Sequence, residues 1–255
     1  MATLNSLPTR TTPGYVRSAM PTGYIEGLQL GYESTTSFDV LVGRCRDSTD
    51  TRDIVLSAGL EFDAIGSGTG ALKIDTGTIA AAKVYAVYII ASADGATVSG
   101  TFSLNATTPA LPAGYTLYRK VGSFLSQAGA ATVQWFIQTG KGRTRTMTGR
   151  SSRLLFSDTT PATSITAIDC SAMCPPGGTI ILNADLDADG NAGDFNVTFG
   201  PDGFLATTIA LLSCARVEAT MVFRLPIDSG DDIHYIASSA TPQLVVTTPG
   251  FEEYL

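Results

Sequence analysis

Residues 84–92 read Val-Tyr-Ala-Val-Tyr-Ile-Ile-Ala-Ser, and Asp94-Gly95 follows as a turn signal. β-branched and aromatic side chains pack best on a pleated surface, so this run predicts a strand. Working outward, runs of the same kind recur at Phe38–Arg44, Asp53–Ser57, Ala71–Asp75, Thr101–Ala106, Thr116–Leu125 and Thr132–Gln138. Turn formers separate them: the Gly66–Gly70 cluster, Ala113-Gly114 and Ala128-Gly129. The helical candidate, Gly77–Val84, is too short to be central. A second block carries the same pattern at Arg153–Ser157, Ile165–Cys170, Gly178–Leu186, Asn196–Phe199, Leu205–Leu212, Ala215–Leu225, Ile233–Ser238 and Leu244–Thr248, and closes at Pro249-Gly250-Phe251. Strands at this spacing, without helices between them, predict an all-β fold of antiparallel β-sandwiches rather than βαβ units.

The chain divides into four parts on this reading. Residues 1–37 carry turn formers throughout (Pro8, Pro13-Gly14, Pro21, Gly23, Gly27, Gly31) and show neither alternation nor helical spacing. They read as an extended N-terminal arm, followed by a sandwich domain over 38–140, a basic linker over 141–152 and a second sandwich domain over 153–255. An extended arm cannot offset its ordering entropy by burying area on itself, so an ordered arm is expected to lie on another subunit or partner. Tyr15, Tyr24, Leu28, Leu30 and Tyr32 would anchor it; the other reading is a frayed tail. The linker holds Lys141, Arg143, Arg145 and Arg150, which either dock an acidic neighbour or sit in a solvated connector. Residues 185–203 form a polar, Asp/Gly-rich excursion that reads as a protruding loop.

Charge and composition exclude several functions. The 255 residues include 16 Lys and Arg against 23 Asp and Glu, a formal net charge of −7, and only 15% of residues are charged, against roughly 25% in an ordinary domain. Such a chain lacks the positive field that draws nucleic acid, which is therefore not expected as a partner. The longest apolar-rich run, Ile79–Ala93, is broken by Lys83 and is shorter than the roughly 20 residues of a membrane helix, so no membrane insertion is expected. Met1–Tyr24 has no continuous apolar stretch to act as a signal-peptide core, so Sec-type export is not expected either. Four cysteines (Cys45, Cys170, Cys174, Cys214) allow three pairings, but in a cytosolic setting they are expected as reduced, small buried hydrophobes. The Cys170-x-x-x-Cys174 spacing has neither a second close pair nor a nearby His, as structural zinc would need.

The single histidine, His234, leaves little material for imidazole-based catalysis. Asp231-Asp232 and Glu252-Glu253 are adjacent pairs, which on a strand point to opposite faces and cannot flank one bond. No catalytic residue and no resident cofactor is expected. The sharpest motif is Asp185-Leu186-Asp187-Ala188-Asp189-Gly190, the first half of a calcium loop in which alternate carboxylates converge on one hard cation. Its twelfth position is Asn196 where a bidentate Glu belongs, and its flanks read as strands. Asp185, Asp187 and Asp189 thus form either a weak Ca²⁺ site unlike an EF-hand or an acidic, solvated turn. Tyr115, Tyr118, Phe124, Trp135 and Phe136, interleaved with Arg119 and Lys120, either pack as core and subunit contacts or offer aromatic faces to sugars or bases.

Within that aromatic stretch, Thr107-Thr108-Pro109-Ala110-Leu111-Pro112-Ala113-Gly114-Tyr115-Thr116-Leu117-Tyr118-Arg119-Lys120-Val121-Gly122-Ser123-Phe124 resembles a segment common in structural and tail-fibre proteins of tailed bacteriophages. Asp47-Ser48-Thr49-Asp50 followed by Asp53-Ile54-Val55-Leu56, and Tyr85-Ala86-Val87-Tyr88-Ile89-Ile90, stand in the places of two further elements of that family. Phe136-Ile137-Gln138-Thr139-Gly140 and Leu244–Phe251 are similar to its later ones, with Phe251 where the family usually has Trp. The resemblance spans roughly residues 38–255; the arm matches nothing in it. It implies jelly-roll-like β-sandwich modules in a virion appendage, frequently trimeric, without a shared catalytic centre. On that resemblance the chain is expected to be a fibre or spike component of a tail or capsid, assembled in the host cytoplasm and located in the virion. Its partners would be itself, as a homotrimer, and other virion proteins; a host-surface glycan is the alternative partner. Few charges leave apolar surface for subunit contacts, which agrees with an assembled protein.

Overall fold

The structure, a computed structural model, describes residues 21–66, 68–140, 144–187, 194–201, 210–215, 219–239 and 243–255. These residues form eighteen strands and no helix. The first ten are β1 (Ile25–Gly27), β2 (Leu30–Tyr32), β3 (Ser37–Val40), β4 (Gly43–Arg46), β5 (Asp53–Leu56), β6 (Leu60–Asp63), β7 (Val84–Ala91), β8 (Val98–Ser103), β9 (Leu117–Leu125) and β10 (Phe136–Thr139). The rest are β11 (Thr144–Asp158), β12 (Thr166–Asp169), β13 (Thr179–Asp187), β14 (Asp194–Gly200), β15 (Ala210–Ala215), β16 (Ala219–Pro226), β17 (Asp232–Ala237) and β18 (Gln243–Tyr254). Three three-stranded sheets, β1-β4-β5, β2-β3-β6 and β8-β7-β9, make up the N-terminal lobe. A five-stranded sheet, β10-β11-β18-β13-β16, and a four-stranded one, β12-β17-β14-β15, make up the C-terminal lobe. The ladders between named strands are all antiparallel.

The run at 84–92 is apolar without alternation because both faces of β7 are covered. Tyr85, Val87, Ile89 and Ala91 face the main core. Ala86, Tyr88 and Ile90 face the other way, under Leu111, Tyr115 and Tyr118. The Pro-Ala-Gly-Tyr-Thr segment is therefore a strap across the back of the central sheet. Ala110 N donates to Asp75 Oδ2 at 2.7 Å and Tyr88 Oη donates to Asn105 O at 2.7 Å ahead of it, and Thr116 N donates to Ala91 O at 2.9 Å at its end. In front, Phe38 stacks on Phe62 at 4.7 Å and meets Phe124 at 4.7 Å and Phe102 at 5.8 Å. Phe156, Phe199, Phe223 and Tyr235 join the two sheets of the C-terminal lobe. Apart from the Ala86, Tyr88 and Ile90 patch, the main core is one cluster of buried apolar residues running from Ile25 to Leu255.

Four expectations change. Residues 24–32 do not form an arm directed at a partner: β1 pairs with β4 and β2 with β3 of the same chain, and Leu28 is fully buried. Strands of three residues are too short to show alternation, and the corner between them, with positive φ at both Gly27 and Leu28, sends each to a different sheet. A Cβ on Gly27 would lie 2.4 Å from Val42 O, so the approach of β1 to β4 requires glycine. The stretch read as a linker is strand from Thr144 onward, because β11 pairs with β10 on one side and β18 on the other. The last strand does not stop at Pro249-Gly250 but continues to Tyr254. Its ladder shifts register near the proline, and a Cβ on Gly250 would lie 1.8 Å from Met147 O. Finally, Gly77–Lys83 is irregular and Ala71–Asp75 makes only an isolated bridge, Ile74 to Phe102.

Phe38→Ala removes the ring shared by these stacked aromatics and should lower stability by about 3–5 kcal/mol, with the fold retained, as read by denaturant unfolding.

Candidate functional site

The first site is the loop Asp47-Ser48-Thr49-Asp50-Thr51-Arg52. Asp47 is buried, and its carboxylate accepts from the backbone N–H of Thr49 (3.1 Å), Thr51 (2.8 Å) and Arg52 (2.6 Å) and from the Thr49 hydroxyl. Burial acts to raise its pKa, but these donors outweigh it and hold the carboxyl below its usual range. The loop then ties distant segments together. Gly23 N donates to Asp50 Oδ1 at 2.6 Å, Ser48 N donates to Tyr118 O at 2.7 Å, and Arg46 bridges to Asp53 at 3.3 Å. The signal for this loop was present in the sequence as an Asp followed by hydroxyl residues, but a carboxylate that organises a turn and one that binds a ligand look alike there.

The second site lies where the lobes meet. Glu253, only 4% exposed, accepts at Oε2 from Ser123 Oγ (2.8 Å) and from Lys120 Nζ (3.0 Å), both on β9. Directly across the β11–β18 ladder is Arg145, 1% exposed, whose Nη2 donates to Gly27 O at 2.6 Å. Burial pulls the Arg145 pKa down and the Glu253 charge opposes that. Gln138 adds a neutral tie, accepting at Oε1 from Leu30 N at 2.8 Å. Sequence reading missed this cluster, since Arg145 was placed in a basic linker and Glu253 was weighed only as one of an adjacent carboxylate pair. Ser123 beside a lysine is fully buried, so it serves as a donor to Glu253 rather than as a nucleophile facing a substrate.

The remaining candidates are scattered. Tyr24 donates its hydroxyl to Glu26, and the Arg44 guanidinium lies 5.6 Å from its ring centre. Tyr32 packs on Trp135 at 6.4 Å and on Phe136 at 6.0 Å. Tyr24, Leu28 and Tyr32 thus make contacts within the chain, and Tyr15 lies outside the described residues. Asp185 is not in a loop but on β13, where Thr220 Oγ1 donates to its Oδ1 at 2.6 Å. Asp187 ends that strand; its side chain, and all of Asp189, lie outside the described residues. No group of three or more His, Cys, Asp or Glu that could hold a metal occurs among the described residues. Glu252 and Glu253 do point to opposite faces: Glu252 pairs outside with Arg224 at 2.8 Å.

Cys45, Cys170 and Cys174 are unpaired and buried, as expected, and burial pushes the Cys45 and Cys170 thiols up to about 12. The side chain of Cys214 lies outside the described residues. Tyr115 and Tyr118 pack under the strap. A surface depression of about 480 Å³ is lined by Tyr24, Ile25, Glu26, Gly27, Gln29, Gly140 and Arg145. No described helix is long and apolar enough to cross a membrane.

Two substitutions test these sites. Asp47→Ala leaves buried amides without an acceptor and should cost about 1–3 kcal/mol. Because the folded pKa is depressed, that difference from wild type should be constant above about pH 5 and should shrink as pH falls through about 4 and below, in unfolding curves taken across that range. Glu253→Ala should cost about 3–5 kcal/mol by stranding Lys120 and Arg145, whereas Lys120→Met/Glu253→Leu should cost less than that single change. Comparison with known proteins places no name on these sites: no family model and no curated protein sequence matches the chain.

Proposed function

We propose that the chain is a non-enzymatic structural component of a tailed-bacteriophage virion, a fibre or spike protein of the tail or capsid that assembles as a homo-oligomer. Its architecture on this reading is two jelly-roll-like sandwich lobes. The observation that carries it is the position of the residues that bear the family resemblance. Thr107–Phe124 forms the strap and strand β9, Asp47–Leu56 forms the tying loop and β5, and Tyr85–Ile90 is the central strand. All of them serve to hold the body rigid. The polar clusters point the same way, since their charges are spent on internal ties. Anchoring to the particle falls to residues 1–20, which include Tyr15, because residues 24–32 are committed to the chain's own sheets.

Host-glycan binding is the second reading, and the depression beside Tyr24 favours it. An aromatic ring, the Glu26 carboxylate and the Gln29 amide around one hollow are the groups that recognise a sugar. The direct test of the first reading is mass spectrometry of DNA-containing particles purified by density gradient from the source culture. Peptides of this chain should band with the particles, and removal of residues 1–20 should leave a folded protein that no longer does so. A chain absent from the particles would overturn the reading.

A further inference from the structure

The outer face of the five-stranded sheet is a broad, nearly neutral surface on an acidic protein. Register places Leu154, Thr247, Asn183 and Val222 in one row across β11, β18, β13 and β16. Leu154 is 59% exposed and Val222 66%. A second row runs from Ile137 through Thr148 to Arg224, and the exposed Tyr254 lies beside Thr144 at the end of the sheet. Between these apolar side chains the face is built largely of threonine, with Thr146, Thr179 and Thr220 in the adjoining rows. The alternation is strict on β16, where Thr220, Val222 and Arg224 are exposed while Leu225 is buried and Phe223 packs on Phe199 inside.

Three charged side chains are described on this face. Arg224 and Glu252 neutralise each other, and Asp185 is capped by the Thr220 hydroxyl. The chain as a whole carries −7, so two copies repel wherever their acidic surfaces meet. A face whose described charges sum to −1 is where like-charged copies approach at least electrostatic cost. Its size also suffices. The five strands hold 4, 15, 12, 9 and 8 residues, which at about 3.4 Å per residue and about 4.8 Å between strands give about 780 Å², close to the roughly 800 Å² per partner of a standard interface. A rigid sheet with β-branched rows loses little side-chain entropy on docking.

We propose that this face, centred on Leu154, Thr247 and Val222, is the contact surface for further copies of the same chain. The proposal rests on the homo-oligomer part of the functional reading and names where the copies meet. Three such faces turned toward a common axis would form the walls of a prism.

The test is the solution mass of the full chain by light scattering, for wild type and for Leu154→Glu/Val222→Glu. Both positions are exposed at the strand surface, so the far-UV circular dichroism should be unchanged, and Leu104→Glu, an exposed leucine elsewhere, serves as control. The expected result is a wild-type and L104E mass of several chains, and a fall to one chain for the double variant. A wild-type oligomer that the double variant leaves intact would overturn this face while the homo-oligomer reading stands. A wild type that is one chain at every concentration would overturn both. Association that appears only after removal of residues 1–20 would assign the face to that segment and overturn the proposal.

Discussion

A carboxylate taken out of water must be matched by cations and donors at its new location, and Glu253 on the last strand is matched at one oxygen by Lys120 and Ser123 of the central sheet. Lys120 and Ser123 reach it from β9, and Arg145 stands opposite on β11 while donating to Gly27 at the start of the chain. Burial of this charge thus ties the last strand to the central sheet, and Arg145 beside it ties β11 to the N-terminal strands. Two of the N-terminal sheets, β1-β4-β5 and β2-β3-β6, are small, and three-stranded sheets of three- and four-residue strands have little stability alone. Their persistence depends on the shared core and on this seam.

Much of the fold was legible in the sequence because apolar runs bounded by turn formers are a strong signal. The strands β5, β7, β9 and β13 fall where the sequence places them. The failures have physical causes. β6 was not foreseen, because Leu60-Glu61-Phe62-Asp63 is a single short alternation beside Gly59. The stretch 144–152 was read by its charge, yet Arg145 is a buried partner and Thr144, Thr146 and Thr148 are ordinary strand residues. Pro249 was read as a terminator, but at a register shift its missing N–H costs nothing.

The candidate sites were less legible than the fold. That Glu253 would sit inside depends on its contact with Ser123, 130 residues away, which no local pattern encodes, while the contacts of Asp47 are local but look the same in sequence as those of a ligand-binding aspartate. Cys45, Cys170 and Cys174 lie buried and unpaired as read, because burial of a small sulfur side chain needs no partner. The Asp185 motif was read as a loop because its glycine and alternating aspartates fit one, while Asp185 itself belongs to strand β13. The same two-residue period serves a calcium loop and a solvent-facing strand.

The central claim is that the two lobes, joined at Glu253, unfold as one unit. Native-state hydrogen exchange tests it most directly, by comparing amide protection at Val87 in β7 with that at Leu182 in β13. Both lie fully buried at the heart of their own lobe. The account predicts the same opening free energy at the two positions, equal to that of global unfolding. Protection that differs by several kcal/mol, with one lobe opening while the other stays closed, would contradict it.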